Sequence, residues 1–209
     1  MATLADDEKG LSYGPIPLGT VHLCLDMQNL FYDGGPWATP WMKRVLPAIQ
    51  ELAGRHAAQT VFTRFMPPRR AEEAPGIWRR FYEHWREVTL EQIDPALLEL
   101  VPELARLVPP ATLLDKTRYS PFHGTGLAEW LRQRDIGTVI LTGAETDVCV
   151  LGAALDAVDL GLRTIIVSDA ICSSADDTHD ALMKLYRHRF SHQIEITDVQ
   201  TILRHWPHR

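Results

Sequence analysis

The chain has 209 residues, of which 45% are hydrophobic and 23% are charged, and this is typical of one folded domain with a full core. Its formal net charge is −6, and its 21 lysine and arginine residues are scattered among acidic residues, so a nucleic-acid partner is not expected. No apolar run approaches the roughly 20 residues of a membrane span, and three cysteines without a C-x-x-C motif indicate a reducing, cytoplasmic setting with neither disulfides nor a zinc site.

Short apolar, β-branched runs alternate with helical patterns along the chain, which is typical of βαβ units around a parallel sheet. Helices are expected at 42–55, where apolar residues recur at helical spacing, at 150–160, and after the N-cap residues Thr178 and Thr197. The sequence therefore predicts an α/β protein with a three-layer α/β/α Rossmann-like fold. Its six-stranded parallel sheet is predicted to use residues 21–25, 60–63, 111–114, 138–142, 163–168 and 193–197.

Two segments fall outside this alternating pattern. Residues 1–19 contain glycines and prolines among polar residues, and we interpret them as an N-terminal arm before a single domain at 20–209. Residues 66–110 form a long segment, rich in Trp, Arg and Pro, before the third predicted strand. We expect this segment to form a lid or a pocket wall, or to contact another subunit.

Three reactive side chains follow predicted strands, and ligands of open parallel sheets bind beyond the carboxyl ends of the strands. Asp26 follows the run VHLCL, Lys116 follows ATLLD, and Cys149 follows VILTGAETDV at the predicted start of a helix. A parallel sheet can bring all three to one edge. A carboxylate, an ammonium group and a thiol at one site suit nucleophilic catalysis.

A cysteine attacks as the thiolate, and the free thiol has a pKa near about 8.5. The helix N-terminus and the Lys116 cation both favour the anion, so we expect a Cys149 that is reactive near neutral pH. Asp26 can move the thiol proton to a leaving nitrogen, and backbone amides of the turn before Cys149 can bind a developing oxyanion. Taken singly, each residue also fits a structural role, as a buried thiol, a turn carboxylate or a solvated lysine.

Five segments carry a family resemblance: LDMQNLF at 25–31, TRF at 63–65, DKTRYSPFHGTGL at 115–127, TGAETDVCVLGAALDAVDLG at 142–161 and VSDAICSSADDTHDAL at 167–182. Together they resemble the isochorismatase-like cysteine hydrolases, the superfamily that includes nicotinamidases and N-carbamoyl amide hydrolases. The resemblance implies that Asp26, Lys116 and Cys149 form a catalytic triad. It also implies a non-proline cis peptide, placed here at Glu145–Thr146, and an oxyanion site built from the backbone of Glu145, Thr146 and Cys149.

Metal and cofactor sites are not expected. Metal-dependent nicotinamidases of this superfamily resemble one another in an Asp-x-His motif between the first two strands, where residues 27–59 offer only Asp33 and His56. An Asp-x-His pattern does occur at Asp177 to His179, but it lies at the start of a predicted helix, which favours a structural role for these residues. The segment TGAETD also lacks the G-x-G-x-x-G of a dinucleotide site.

Substrate contacts are predicted mainly from aromatic residues near the triad. Gln28 is expected either beside the acid or as a loop hydrogen-bonder, and Arg64 or Arg80 could hold a substrate carboxylate. Cys24 fits a buried strand position, and Cys172 is expected in a polar loop. The predicted substrate-binding residues are Gln28, Phe31, Tyr119, Phe122, Arg64 and Trp85.

The predicted protein is a cysteine-dependent amidohydrolase that cleaves a C–N bond of a small amide or ureido/carbamoyl compound through a thioester. Its partner is a small-molecule substrate, with no cofactor, nucleic acid or membrane. Since members of the resembled superfamily commonly self-associate, we also expect a homo-oligomer. Two alternatives stay open: an isochorismatase-type vinyl-ether hydrolase, and a catalytically silent binding protein of the same fold.

Overall fold

The computed structural model describes residues 11–207. Its strands form one six-stranded, all-parallel sheet, as the sequence predicted, and their order in the sheet is β3-β2-β1-β4-β5-β6. Each strand lies at a predicted position, although four of the six run two to four residues past the predicted end. The strands are β1 (Thr20–Leu25), β2 (Thr60–Phe65), β3 (Thr112–Lys116), β4 (Thr138–Ala144), β5 (Arg163–Cys172) and β6 (Ile194–Thr197).

Helices cover both faces of this sheet and give the three predicted layers. In chain order they are α1 (Met42–Arg55), α2 (Ile77–His84), α3 (Pro102–Ala105), α4 (Leu127–Arg132), α5 (Cys149–Asp159), α6 (Asp176–Arg189) and α7 (Val199–His205). None of the helices within residues 11–207 has the length and apolar character that crossing a bilayer requires.

Two apolar cores lie on opposite faces of the sheet, because successive side chains of a strand point to opposite sides. On β1, Cys24 packs into the core shared with α1 and α7, whereas Leu23 and Leu25 pack into the core shared with α4, α5 and α6. The central strand β1 is therefore buried on both faces, and every residue in it is buried. This explains why its sequence is a near-continuous apolar run.

Two predicted helix caps are wrong by a few residues. Thr178 lies inside α6, which begins at Asp176, and its hydroxyl donates to the carbonyl of Ala175. The N-cap of α7 is Asp198 rather than Thr197, since the Asp198 carboxylate accepts from the amide of Thr201 at 2.8 Å. Asp and Thr are both good N-cap residues, so residue type alone does not show which of the neighbours Thr197 and Asp198 caps α7.

The two irregular segments pack against the domain. Residues 1–10 of the predicted arm lie outside the described residues, while Ile16 is buried and its amide donates to the carbonyl of His205. The segment at 66–110 contains α2, α3 and short 3-10 turns. It lies across the carboxyl ends of the strands, where Gln28 pairs with Leu100 as an isolated bridge.

The strand order reverses direction beside β1. The chain proceeds from β1 to β2 and β3 on one side, and then crosses to β4, β5 and β6 on the other. Loops at the carboxyl ends of β1 and β4 therefore diverge and leave a crevice, which is where open α/β sheets bind ligands. Asp26 directly follows β1, Lys116 ends β3, and Cys149 follows β4 by five residues.

Candidate active site

Asp26, Lys116 and Cys149 meet at the carboxyl edge of the sheet. The Nζ atom of Lys116 lies 2.7 Å from Oδ2 of Asp26 and 3.4 Å from Sγ of Cys149. These groups come from three different strands or the turns after them, and 123 residues separate the first from the last in sequence (149 − 26). Asp26 and Lys116 are almost entirely buried, whereas Cys149 keeps 5% of its surface exposed.

The backbone and a neighbouring strand fix the Asp26 carboxylate. Asp26 has φ of 51°, in the left-handed region that aspartate tolerates better than most residues. The hydroxyl of Thr63, at the end of β2, donates to Oδ1 of Asp26 at 2.6 Å and accepts from its backbone amide at 3.1 Å. One carboxylate oxygen is therefore held by Thr63, and the other faces the Lys116 ammonium group.

Lys116 has an acceptor for each of its three N–H groups. Besides Asp26 and Cys149, its Nζ donates to the carbonyl of Arg118 at 3.1 Å, and it lies 5.0 Å from the centre of the Phe65 ring. Burial lowers the pKa of Lys116, but the nearby Asp26 and Cys149 raise it, and the net effect is a raised pKa. The ammonium group is thus a fixed positive charge between the carboxylate and the sulfur.

The surroundings of Cys149 favour the neutral thiol in the ligand-free site. Burial raises the pKa of Cys149, Asp26 raises it further, and the lowering effect of Lys116 is smaller than these two together. The expectation that the helix N-terminus and Lys116 favour the anion is therefore outweighed here, while the reactivity of Cys149 near neutral pH stays a prediction. The helix N-terminus and one lysine do not compensate for a desolvated sulfur beside a carboxylate.

The turn between β4 and α5 leaves the amide of Cys149 without a backbone acceptor among residues 11–207. A non-proline cis peptide lies in this turn between Ala144 and Glu145, one bond earlier than predicted, because β4 ends at Ala144 and the turn begins there. The amide of Thr146 donates to the carbonyl of Cys172 at 2.8 Å. Thr146 is therefore not an oxyanion donor, contrary to prediction.

A cavity of about 400 Å³ opens onto Cys149. Half of its lining residues are aromatic: Phe31, Trp37, Phe65, Phe81, Trp85 and Tyr119. The rest of the lining consists of Pro36, Ala38, Val148, Glu145 and Ser174. Its volume lies at the small end of ligand pockets, which suits a small substrate.

Three of the six predicted substrate-binding residues line this cavity: Phe31, Tyr119 and Trp85. Phe31 follows the first strand, Tyr119 follows Lys116 by three residues, and Trp85 comes from the long segment at 66–110. That segment supplies Phe81 as well, so it forms part of the pocket wall, as expected.

The other three residues predicted as substrate contacts do not line the cavity. Gln28 is fully buried, and its side chain bonds only to backbone groups of Phe65 and Leu98. Arg64 is held by two bonds to Asp115 and one to Glu99, so its guanidinium is occupied by carboxylates of the protein. Phe122 packs against the core that contains α4 and α5, whereas Phe31 and Phe65 of the cavity belong to the core on the other face of the sheet. Arg80 does not line the cavity either.

Sequence reasoning missed two contacts at the end of β2. Thr63 bonds to the Asp26 carboxylate, and Phe65 lines the cavity and lies under Lys116. The alternation of side chains along a strand offered the signal, since Thr63 and Phe65 share one face and Arg64 takes the other. Trp37, from the loop after β1, contacts four rings of the wall with centroids 5.8 to 6.0 Å apart.

Side chains considered as metal ligands have other partners. Asp33 pairs with Lys43, His56 stacks on Trp206, and Nδ1 of His179 lies 2.9 Å from the Thr146 hydroxyl. Within residues 11–207, no cluster of three or more His, Cys, Asp or Glu side chains is placed to hold a metal ion.

The remaining two cysteines are fully buried. Cys24 lies inside β1, as expected, and burial raises its pKa to about 12. Cys172 is the last residue of β5 rather than part of a polar loop, and burial raises its pKa as well. Neither side chain lines the cavity, so Cys149 is the cysteine that a ligand there can meet.

An open parallel sheet with a cavity-facing cysteine beside a buried Asp–Lys pair defines the fold and site of a cysteine hydrolase. The family model described as "Isochorismatase domain" matches residues 20–198, and the chain belongs to that family. It is a hydrolase of the isochorismatase-like cysteine hydrolase type.

Individual relatives agree with this assignment. A solved cysteine hydrolase from Pseudomonas syringae pv. phaseolicola 1448A superposes with a TM-score of 0.79 at 25% identity, covering 91% of this chain and 94% of that one. Maleamate amidohydrolase of Pseudomonas putida is 28% identical over 86% of this chain and 84% of that protein. An uncharacterised isochorismatase family protein of Bacillus subtilis is 44% identical, but the match spans only 36% of that protein and 32% of this chain.

Proposed function

We propose that this protein hydrolyses the C–N bond of a small amide or ureido/carbamoyl compound, with Cys149 as nucleophile, Asp26 as general acid and base, and Lys116 as the charge that holds them together. The observation that carries the proposal is the contact of Lys116 with both the Asp26 carboxylate and the sulfur of Cys149, which lines a cavity. The names of relatives that cleave amides support the same chemistry.

Acylation begins from the neutral thiol. As Sγ of Cys149 forms a bond to the carbonyl carbon, its proton passes to the Asp26 carboxylate, so the sulfur need not ionise beforehand. The carbonyl oxygen becomes negative and accepts a hydrogen bond from the amide of Cys149, with Glu145 as the candidate second amide donor. Asp26 then returns the proton to the leaving nitrogen, the C–N bond breaks, and ammonia or an amine departs from a thioester.

Deacylation reverses these roles. Asp26 takes a proton from water as the water oxygen attacks the thioester carbonyl, and the C–S bond breaks. The sulfur recovers its proton from Asp26, which restores the starting site and releases the carboxylic or carbamic acid. Throughout, Lys116 balances the single negative charge that moves between the carboxylate and the oxyanion.

Replacement of the nucleophile tests the proposal. We expect Cys149→Ala and Asp26→Asn to lower kcat for ammonia release from a panel of primary amides and ureido compounds by about 10⁴-fold or more, as for other catalytic triads. The matched control is Cys172→Ala, which removes a second buried thiol that does not line the cavity, and which should keep kcat within a few-fold of wild type.

Mass spectrometry of the quenched reaction provides the second measurement. A substrate-derived acyl group on the peptide that contains Cys149 is the expected adduct. Amide hydrolysis that persists in Cys149→Ala would contradict covalent catalysis. A vinyl-ether hydrolase of the same fold is the contrasting outcome, because its turnover would survive alkylation of Cys149, whereas the proposed amidase would lose activity.

A further inference from the structure

The cavity wall carries an acidic residue and no basic one among the described residues, which does not suit an acidic substrate. Of the described residues that line the cavity, Glu145 is the one with a formal charge at neutral pH. Three basic side chains lie beside the lining residues: Lys116 pairs with Asp26, Arg64 pairs with Asp115 and Glu99, and Arg118 donates to the carbonyl of Thr117 and lies over the ring of Trp78. None of these three is among the described lining residues, so the lining itself presents no cation to an anionic substrate.

One hydrogen bond holds the Glu145 carboxylate at the cavity. Its Oε2 atom accepts from the amide of Ser174 at 2.8 Å, and this bond holds the carboxylate against another lining residue. Among the part of the chain that the structure describes, no lysine, arginine or histidine forms an ion pair with Glu145. Glu145 also acts on the cavity wall: burial, then Cys149, then Glu145 raise the pKa of Tyr119, while Lys116 lowers it.

The aromatic wall adds a second attraction for positive charge. Trp37 lies among the other rings of this wall. Its ring and that of Trp85 are nearly perpendicular, at 88°, with centroids 5.9 Å apart, so the two indole planes face different directions in the same cavity. The π faces of Trp, Tyr and Phe carry negative partial charge and attract cations, and indole does so most strongly. Several rings and one carboxylate around a small space form a cage of the kind that binds alkylammonium groups.

We propose that the amide substrate of this enzyme carries a positively charged group, such as an alkylammonium, that binds between the indoles of Trp37 and Trp85 and the carboxylate of Glu145. The inference rests on the proposed amidase function and adds the substrate class. The scissile amide then lies at Cys149. The cation occupies the aromatic part of the cavity, away from Lys116.

Three matched amides test the preference. They are the amide of γ-(trimethylammonio)butyric acid, its neutral isostere in which carbon replaces the charged nitrogen, and the monoamide of glutaric acid, which carries a carboxylate at the same end. We expect kcat/KM to be at least about tenfold higher for the cation than for the isostere, and lowest for the anion. Equal or reversed values would overturn the inference and leave the amidase function intact.

Two variants assign the preference to residues. Glu145→Gln keeps the acceptor for the Ser174 amide but removes the charge, and should lower the ratio of kcat/KM for cation over isostere by about tenfold. Trp85→Leu keeps an apolar wall but removes a π face, and should lower the ratio by about threefold. The control, Asp147→Asn, removes a carboxylate of the same turn that bonds to Ser173 and does not line the cavity, so it should leave the ratio unchanged.

Binding measured without turnover separates the two proposals. If no amide is hydrolysed, the amidase function fails, and calorimetry with wild-type protein still compares the trimethylammonium amide with its isostere. Binding at least about tenfold tighter for the cation, lost in Glu145→Gln, would support the cage. Equal binding of the two ligands would overturn it.

Discussion

At the scale of single residues, the site is organised around one buried positive charge. Lys116 lies between a carboxylate and a thiol, and because burial and Asp26 raise the pKa of Cys149, the Lys116 charge is paired with Asp26 alone. A buried ion pair of this kind loses much of its Coulomb energy to desolvation. In the proposed mechanism its value is functional, since it keeps the Asp26 carboxylate within reach of a thiol that loses its proton during attack.

The protonation state of Cys149 gives the first prediction. Because burial and Asp26 raise the pKa of Cys149, and burial raises that of Cys24 and Cys172, we expect no thiolate to form between about pH 6 and 8.5, the range in which an activated cysteine ionises. Ultraviolet absorbance of the thiolate, measured as wild type minus Cys149→Ala, checks this. A step near pH 7 in the difference curve would contradict the neutral resting thiol.

The meeting of Asp26, Lys116 and Cys149 was predictable at this scale, and the lining of the cavity was only partly so. Asp26 and Cys149 follow long apolar strands, and the carboxyl ends of parallel strands share one edge, so their meeting follows from the sheet alone. Arg64 was assigned to substrate because its guanidinium suits a carboxylate. On β2, the side chain of Arg64 points to the face opposite Thr63 and Phe65 and binds Asp115 of the neighbouring strand. The chemistry of a single arginine does not reveal this partner.

At the scale of elements, the active site depends on how closely β4 approaches β1. The pairing of β4 with β5 shifts register between Leu141 and Gly143. Gly143 has φ of 100°, and a Cβ atom there would lie 2.1 Å from the carbonyl oxygen of Leu25, the residue before Asp26. The end of β4 therefore has room for glycine alone, and this close approach places the turn with Cys149 beside the Asp26 loop.

Gly143→Ala should separate these two strand ends. A contact of 2.1 Å with backbone cannot be relieved by a side-chain rotation, so we expect a loss of roughly 3 kcal/mol or more in the free energy of unfolding, together with a fall in kcat of about 100-fold or more. Gly161→Ala is the matched control. It also has positive φ, at 75°, but a Cβ atom there has nothing within 4 Å.

Comparison of the two variants isolates the contact from backbone strain. Gly161→Ala should cost about 1 kcal/mol and keep kcat close to wild type, because its effect is limited to the left-handed backbone. Denaturant unfolding and amidase assays measure both effects. Equal losses in the two variants would mean that the approach of β4 to Leu25 does not position the site.

Regular elements were predictable, and the wall of the pocket was only partly so. The strands and α1 have apolar periodicity that specifies their type and the face they bury. The segment at 66–110 instead consists of α2, the four-residue α3 and 3-10 turns, in which short runs carry too little periodicity to fix side-chain direction. Trp85 lines the cavity as predicted, whereas Phe81, which lines it from α2, was not singled out by any local pattern.

At the scale of the whole molecule, one buried histidine makes the stability of the folded sheet depend on pH. His22 lies in the middle of β1 and is fully buried. Its Nδ1 lies 3.1 Å from the hydroxyl of Thr60 on β2, and its Nε2 lies 2.7 Å from the hydroxyl of Thr142 on β4. The Thr60 hydroxyl already donates to the carbonyl of His56, so it accepts from Nδ1–H, while Nε2 accepts from Thr142.

This arrangement binds the neutral imidazole and excludes its charged form. Burial, with a smaller contribution from His56, lowers the pKa of His22 to about 3, whereas an unfolded histidine titrates near about 6.5. Between these two values only the unfolded chain takes up the proton. The free energy of unfolding therefore falls as the pH drops below about 6.5, and the loss is complete near pH 3.

The stability of the folded chain should accordingly depend on pH through this position. Between about pH 7 and pH 5, wild type should lose about 2 kcal/mol more free energy of unfolding than His22→Gln, whatever the stability of that variant at pH 7. Urea unfolding at both pH values measures the difference, and His192→Gln, at an exposed position, controls for the loss of an imidazole. Carboxylates contribute equally to wild type and variants and cancel in this comparison. Parallel pH profiles for wild type and His22→Gln would show that the protonated imidazole is tolerated inside the sheet, and that the hydroxyls of Thr60 and Thr142 accommodate either form.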